Sequence, residues 1–284
     1  MQTAQLRQLE LHSLSLGYGQ HTVVKDLSLT IPPGKITAII GANGCGKSTV
    51  LRGIARLLKA QQGSIEVDGQ SVFSYPAKKF ARMVSLLPQS PVVPDGITVA
   101  DLVSRGRYPY QGLFLAKSAQ DDAVVAWALE MTKTQDLAQQ VVSQLSGGQR
   151  QRVWLAMVLA QETDIMLLDE PTTYLDLAHQ VELLDLLADL NEQYGITIVM
   201  VLHELNLAAR VAHHLLAMKD GQLAALGDAD TVLTEQNLSH IFGLRAAVAD
   251  PLADGSRVVI PYARGGGRAP DRKNFSVAEQ GEGL

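Results

Sequence analysis

An α/β fold is predicted, with a parallel central sheet, an antiparallel opening and an inserted helical segment. Three observations predict it. The apolar run Ile36-Thr37-Ala38-Ile39-Ile40 leads into Gly41-Ala42-Asn43-Gly44-Cys45-Gly46-Lys47-Ser48-Thr49, and a helix-spaced apolar pattern continues over 50–58. Buried-strand patterns return at 165–168 and 196–202, with a helical pattern over 176–191 between them. Strands that alternate with helices in this way build parallel sheets. Between these blocks, from 98 to 160, the pattern is helical and contains no convincing strand.

Residues 9–16 alternate apolar and polar, as a half-buried strand does. Gly17-Tyr18-Gly19 ends that strand, 23–31 repeats the alternation loosely, and Pro32-Pro33-Gly34 turns the chain into the strand at 36–40. Residues 64–67 form a further strand closed by the Asp68-Gly69 turn. A short helix is expected over 76–82 and a strand over 84–87. Pro88, Pro91 and Pro94 mark a loop that runs to Gly96. Helices are expected over 98–104, 120–131 and 148–160. After the returning α/β block come a short helix over 204–212 and a hairpin of 215–218 with 222–225 around Lys219-Asp220-Gly221. A helix over 231–242 and a last strand over 258–262 complete the folded part. The tail 263–284, with Gly265-Gly266-Gly267 and a polar run, buries too little surface to order. No internal repeat is visible, so one catalytic module is expected.

Composition narrows the classes. The chain has 284 residues, is 46% hydrophobic and carries a formal charge of −5. That is ample for a core and offers no basic field for nucleic acid. Cys45 is the single cysteine, so no intrachain disulfide forms, which suits a reducing compartment. The polar start Met1-Gln2-Thr3-Ala4-Gln5 does not read as a signal peptide, and the longest apolar runs are too short to span a bilayer. A membrane role therefore needs a spanning partner.

The glycine-rich stretch after a strand and before a helix is the context of a phosphate-binding loop. Backbone N–H groups over Gly41, Asn43, Gly44, Cys45, Gly46, Lys47, Ser48 and Thr49 can turn towards phosphates, helped by the helix N-terminus. Lys47 adds a mobile charge, and Ser48 offers a hydroxyl to Mg²⁺. Asp169 and Glu170 end an apolar strand, which delivers carboxylates to the top of a parallel sheet. One can hold Mg²⁺ and the other can take a proton from water. Gln89 comes after the 84–87 strand and can reach Mg²⁺ or water while moving with the helical insertion. His203, after the 196–202 strand, can bond a γ-phosphate and Glu170. The other histidines show no metal-ligand spacing, and His213-His214 reads as a strand entry. Ser146, Gly147, Gly148 and Gln149 open a helix whose N-terminus can take an anion, with Ser146 as cap. Two copies arranged head to tail could each close the other's nucleotide with that second site.

In combination these segments resemble the ATP-binding cassette family over about 9–242. Residues 41–48 resemble its Walker A loop, 145–149 its signature and 165–170 its Walker B strand. Gln89 and His203 resemble the Q-loop and H-loop, Leu175-Asp176 the D-loop, and Tyr18 the aromatic that stacks on adenine. The resemblance implies a P-loop NTPase fold with a RecA-like core, an antiparallel β subdomain and an inserted helical subdomain. It implies an ATPase domain over 1–262, with core and β subdomain at 1–88 and 161–262 and the helical subdomain at 89–160. Arg105-Gly106-Arg107-Tyr108-Pro109 and Glu170-Pro171-Thr172-Thr173-Tyr174-Leu175-Asp176 are similar to ATPase subunits of ferric-siderophore, haem and cobalamin importers. The likeness is greatest to the siderophore group, in 38–41, 106–109 and 157–163. Departures are Ala42 for a common Pro, Glu204 for a usual Asp, and Tyr174, whose bulk leaves seam packing open.

The resemblance further implies an importer ATPase that uses ATP and Mg²⁺, acting as a homodimer on the cytoplasmic face of the inner membrane. Its partners are integral membrane permease subunits and, indirectly, a substrate-binding protein, with no nucleic acid. Glu170, His203 and Gln89 are the catalytic candidates, and Ser48, Gln89 and Asp169 the metal ligands. Tyr18, loop 41–49, Ser146, Gly147, Gly148, Gln149 and Asp176 bind nucleotide. Exposed Pro, Tyr and Arg within 89–110 are expected to dock on the permease. Haem or cobalamin is the alternative cargo. A non-transport cassette in DNA repair or translation is the alternative class, though such proteins usually carry two cassettes, a long coiled-coil insertion or basic arms.

Overall fold

The computed structural model describes residues 3–112, 118–173, 175–249 and 257–262. The tail 263–284 and the seam packing of Tyr174 lie outside the described residues.

Twelve strands occur among the described residues. In chain order β1 is Leu9–Tyr18, β2 His21–Ile31, β3 Ile36–Gly41, β4 Gln62–Val67, β5 Gln70–Ser71 and β6 Val84–Leu87. Then come β7 Ile165–Asp169, β8 Thr197–Val201, β9 His214–Lys219, β10 Gln222–Gly227, β11 Ala246–Ala249 and β12 Val258–Pro261. Helices are α1 Lys47–Ile54, α2 Ala77–Ala81, α3 Val99–Ser104, α4 Ala119–Met131, α5 Gly147–Ala160, α6 Leu177–Tyr194, α7 Leu205–Val211, α8 Ala229–Val232 and α9 Glu235–Phe242. A six-stranded sheet runs β10-β9-β3-β8-β7-β6, and a four-stranded antiparallel sheet runs β2-β1-β4-β5. The ladders from β9 through β6 are all parallel.

The strands of the large sheet are apolar throughout because both faces are covered. Their period of two sorts them between two cores. Ile36, Ala38 and Ile40 join Met166, Leu168, Ile198 and Met200 in the core shared with α5 and α6. Ile39, Leu167, Val199 and Val201 face the antiparallel sheet and α1. The loose alternation at 23–31 has a cause: Ser13 and Asp26 take positive φ, and the β1–β2 register shifts beside Ser13.

Three expectations change. The helix over 231–242 is two helices, because the Thr234 hydroxyl accepts from Asn237 N at 3.1 Å and starts α9 afresh. Strands β5 and β11 lie beyond the sequence expectation; each is short and pairs with one neighbour. The helix at 176–191 runs to Tyr194, where Gly195 in the left-handed region stops it.

Arg107, expected on the exposed docking stretch, is instead 2% exposed. Its guanidinium donates to Asp121 Oδ1 at 2.9 Å, Glu162 Oε2 at 2.8 Å and the Ala160 carbonyl at 2.8 Å, and lies over the Tyr110 ring. Gly106 beside it permits this, since a Cβ there would stand 2.3 Å from the Met157 carbonyl. Within the expected docking stretch Tyr108 and Val92 are exposed.

Candidate functional site

The C-terminal ends of neighbouring parallel strands build the site. β3 runs into the glycine-rich loop, β6 into Gln89, β7 into Asp169 and Glu170, and β8 into His203. Ligands of open parallel sheets bind at this edge. A cavity of ≈ 460 Å³ opens there. It is lined by Tyr18, Asn43, Gly44, Gly46, Lys47, Ser48, Thr49, Gln89, Glu170 and His203, all expected, and by Val23. Size alone does not mark the site, since a cleft of ≈ 890 Å³ opens among Lys35, Asn191, Arg210 and His213.

The loop owes its shape to its glycines. Gly44 and Gly46 take φ of 77° and 103°. A Cβ at Gly41 would stand 2.4 Å from the Met218 carbonyl and 2.7 Å from Cys45 Sγ. Gly46 caps α1 without a side chain, so the first N–H groups of the helix stay available to an anion. Lys47 is 5% exposed, and its ammonium donates to the Gly41 and Ala42 carbonyls at 2.9 and 3.1 Å. The Cys45 thiol points into the core, where burial raises its pKa, so only the backbone of Cys45 faces the loop side.

Ser48 Oγ donates to Asp169 Oδ1 at 2.7 Å. Burial pushes the Asp169 carboxyl up, and the adjacent Glu170 adds to this against the Ser48 bond. A hydroxyl and a buried carboxylate side by side form a hard oxygen donor set, the kind Mg²⁺ takes. A cation there would favour the ionised form of Asp169.

Glu170 lies at φ 54°, a conformation side chains rarely adopt. His203 Nε2 is 2.6 Å from Oε1. Gln89 Nε2 and Thr173 Oγ1 donate to Oε2 at 2.7 and 3.1 Å. Burial pushes Glu170 up, but these partners outweigh it and hold the carboxylate below its ordinary value.

Other expected residues stand elsewhere. Ser146 and Gln149 form a reciprocal capping box at the start of α5, and neither they nor Gly147 and Gly148 line the cavity. A Cβ at Gly148 would touch Leu175 Cδ2 at 3.4 Å. Asp176 caps α6, accepting from His179 N at 2.9 Å with His179 Nδ1 at 2.7 Å, and is lowered by those bonds. Sequence reasoning missed Thr173, whose signal is its place three residues after Glu170 in a proline turn. It also missed Arg52, which donates to the Tyr18 hydroxyl at 3.2 Å; nothing in the spacing shows that contact. Glu10, His12 and Glu66 face one another across β1 and β4, a grouping hidden from spacing along the chain. His12 Nε2 lies 4.0 Å from Glu10 Oε2 and 3.7 Å from Glu66 Oε2, outside the cavity.

The family described as ABC transporter matches residues 24–173. The chain is 50% identical over 257 residues to the "probable siderophore transport system ATP-binding protein" YusV of Bacillus subtilis, covering 90% of this chain and 94% of that one. It is 47% identical over 262 residues to the ferric enterobactin transport ATP-binding protein FepC of Escherichia coli, covering 92% and 97%. Among solved structures, an inward-facing transporter described as metal-chelate type superposes with a TM-score of 0.78 at 30% identity, covering 91% and 98%. A dimeric bacterial ABC transporter cassette superposes at 0.70 with 28% identity, covering 78% and 98%. With half of the chain inside the family match and the relatives spanned nearly end to end, the chain belongs to the ABC transporter family and is an ATP-binding, ATP-hydrolysing cassette.

Proposed function

We propose that the chain is the ATPase subunit of an importer for an iron(III)–siderophore complex. The observation that carries this reading is the split arrangement of the site. The glycine-rich loop, Gln89, Glu170 and His203 share one cavity, while the phosphate-accepting start of α5 stands outside it. One copy therefore holds an incomplete pocket, and a second copy facing it head to tail supplies Ser146 and Gly148. The dimeric cassette supports this pairing. The siderophore cargo is supported by the names of the relatives, YusV and FepC.

In this reading Tyr18 stacks on adenine, with Arg52 steadying its hydroxyl. Lys47 leaves the two loop carbonyls and moves onto the phosphates. Ser48, Gln89 and Asp169 would hold Mg²⁺, which when bound neutralises charge on the β- and γ-phosphate oxygens. Glu170 takes the proton of the attacking water and His203 holds the γ-phosphate. Asp176 packs at the seam between copies. The cassette comprises 1–88 with 161–262 and the helical insertion 89–160. No helix among the described residues is long and apolar enough to cross a membrane. In this reading a separate permease spans it and a binding protein delivers the cargo. Tyr108 and Val92, exposed beside the Gln89 loop, suit the permease contact. Closure around ATP and release after hydrolysis drive the permease between states.

Mixing inactive Lys47→Ala and Ser146→Arg subunits tests the split pocket. Mixed dimers have one intact composite pocket, and the expected result is partial recovery of ATP hydrolysis. No recovery, with dimers shown to form, overturns the split pocket. Growth of a deletion strain on single iron chelates, haem or cobalamin tests the cargo.

A further inference from the structure

The carboxylate of Glu170 takes its partners from three places. Gln89 comes from the loop after β6, His203 from the end of β8, and Thr173 from the turn that Glu170 itself opens. His203 meets Oε1, and Gln89 and Thr173 meet Oε2, so these three groups set the direction of the carboxylate. Two of those donors have other work in the proposed mechanism: Gln89 turns to the cation and His203 to the γ-phosphate. Thr173 is the partner free of such work.

Thr173 is also fixed from behind. Its N–H donates to the Glu170 carbonyl at 3.3 Å, and Leu175 N donates to the Thr172 carbonyl at 3.3 Å, which closes the turn. Two glutamine amides grip that turn from outside. Gln151 Nε2, on α5, donates to the Pro171 carbonyl at 2.8 Å. Gln180 Nε2, on α6, donates to the Leu175 carbonyl at 3.0 Å. Gln151 of α5, which begins just after its Ser146 cap, thus bonds the turn at Pro171, and Thr173, two residues along the same backbone, bonds the carboxylate.

We propose that Thr173 is a positioning residue for Glu170, and that through Gln151 it relays the seating of α5 to the orientation of that carboxylate. The start of α5 closes one pocket of the dimer, while the Glu170 of the same chain serves the other. Each pocket's closure thereby aligns the base of its neighbour. The inference rests on Glu170 acting as the base.

The test compares ATP turnover and ATP binding for the full chain and five variants: Thr173→Val, Thr173→Ser, Gln151→Leu, the Gln151→Leu/Thr173→Val double and Glu170→Gln. Thr173→Val removes one hydrogen bond to a charged group, and kcat is expected to fall about tenfold or more with ATP KM unchanged. Thr173→Ser is expected to restore most of the rate. Gln151→Leu lowers kcat in the same direction, and the double variant with Thr173→Val is no slower than Thr173→Val alone, the signature of a shared route. Wild-type kcat in Thr173→Val, or a serine variant as slow as the valine one, overturns the positioning role. Additive losses overturn the relay. Both results stand apart from a failure of the base assignment, which shows as full turnover in Glu170→Gln. Unchanged thermal unfolding of each variant separates these losses from misfolding.

Discussion

Arg107→Ala is expected to remove a large fraction of this protein's stability. The side chain is 2% exposed and serves Asp121, Glu162 and the Ala160 carbonyl at once. Asp121 is buried as well, at 6% exposed. Removing Arg107 leaves a buried carboxylate unpaired, and breaking such a pair costs about 3–5 kcal/mol. At about 2–4 °C per kcal/mol for a chain of roughly this size, the melting temperature falls by about 6–20 °C. Differential scanning calorimetry reads this, and the transition of the helical insertion is the one to monitor. Asp121→Asn placed on top of Arg107→Ala recovers part of the loss, because the orphaned charge is gone. The pH sign is fixed too. Burial pushes the Asp121 carboxyl up, but Arg107 and Ser118 outweigh that and lower it. The contribution is therefore full above the ordinary carboxylate value and is lost as pH falls through the folded-state value, so the gap between wild type and variant narrows in acid. A variant that melts like wild type, yet no longer binds membranes carrying the permease, refutes the argument and returns Arg107 to a docking role.

Two further outcomes are expected. Glu170→Gln cuts turnover by about 10²- to 10⁴-fold while ATP still binds, the usual range for a general base; hydrolysis and nucleotide binding measured on one preparation check it. Gly106→Ala pushes a methyl group to 2.3 Å from the Met157 carbonyl and 3.0 Å from Ala160 Cβ. It should loosen the seat of Arg107 and lower the stability by about 1–3 kcal/mol, the usual cost of overpacking, as denaturant titration would show.

The sheet that carries the site is legible in the sequence because its signals are local. A run such as 36–40 before a glycine-rich loop needs no distant information, and neither does an apolar strand ending in Asp169 and Glu170. The hidden contacts depend on the fold as a whole. Arg107 looks like a surface residue until α4 and the end of α5 bring Asp121 and Glu162 to it. Thr173 looks like filler in a turn until the left-handed backbone of Glu170 brings hydroxyl and carboxylate together. The break in the helix at Thr234 does have a local signal: a threonine whose hydroxyl can take the N–H three residues on is a cap. At Ser146 the cap is legible, and so is the reciprocal bond to Gln149, since Ser-x-x-Gln is the spacing of a capping box.

The order of the strands, rather than the order of the chain, decides which group can yield. Lys47, His203 and Glu170 hang from β3, β8 and β7, each clasped on both flanks. Gln89 hangs from β6, the selvage of the sheet, stitched along β7 alone. In the proposed importer, a pull from the permease meets least resistance there. The fold has put Gln89 after the strand most easily disturbed, and Lys47, Glu170 and His203 after strands held on both sides.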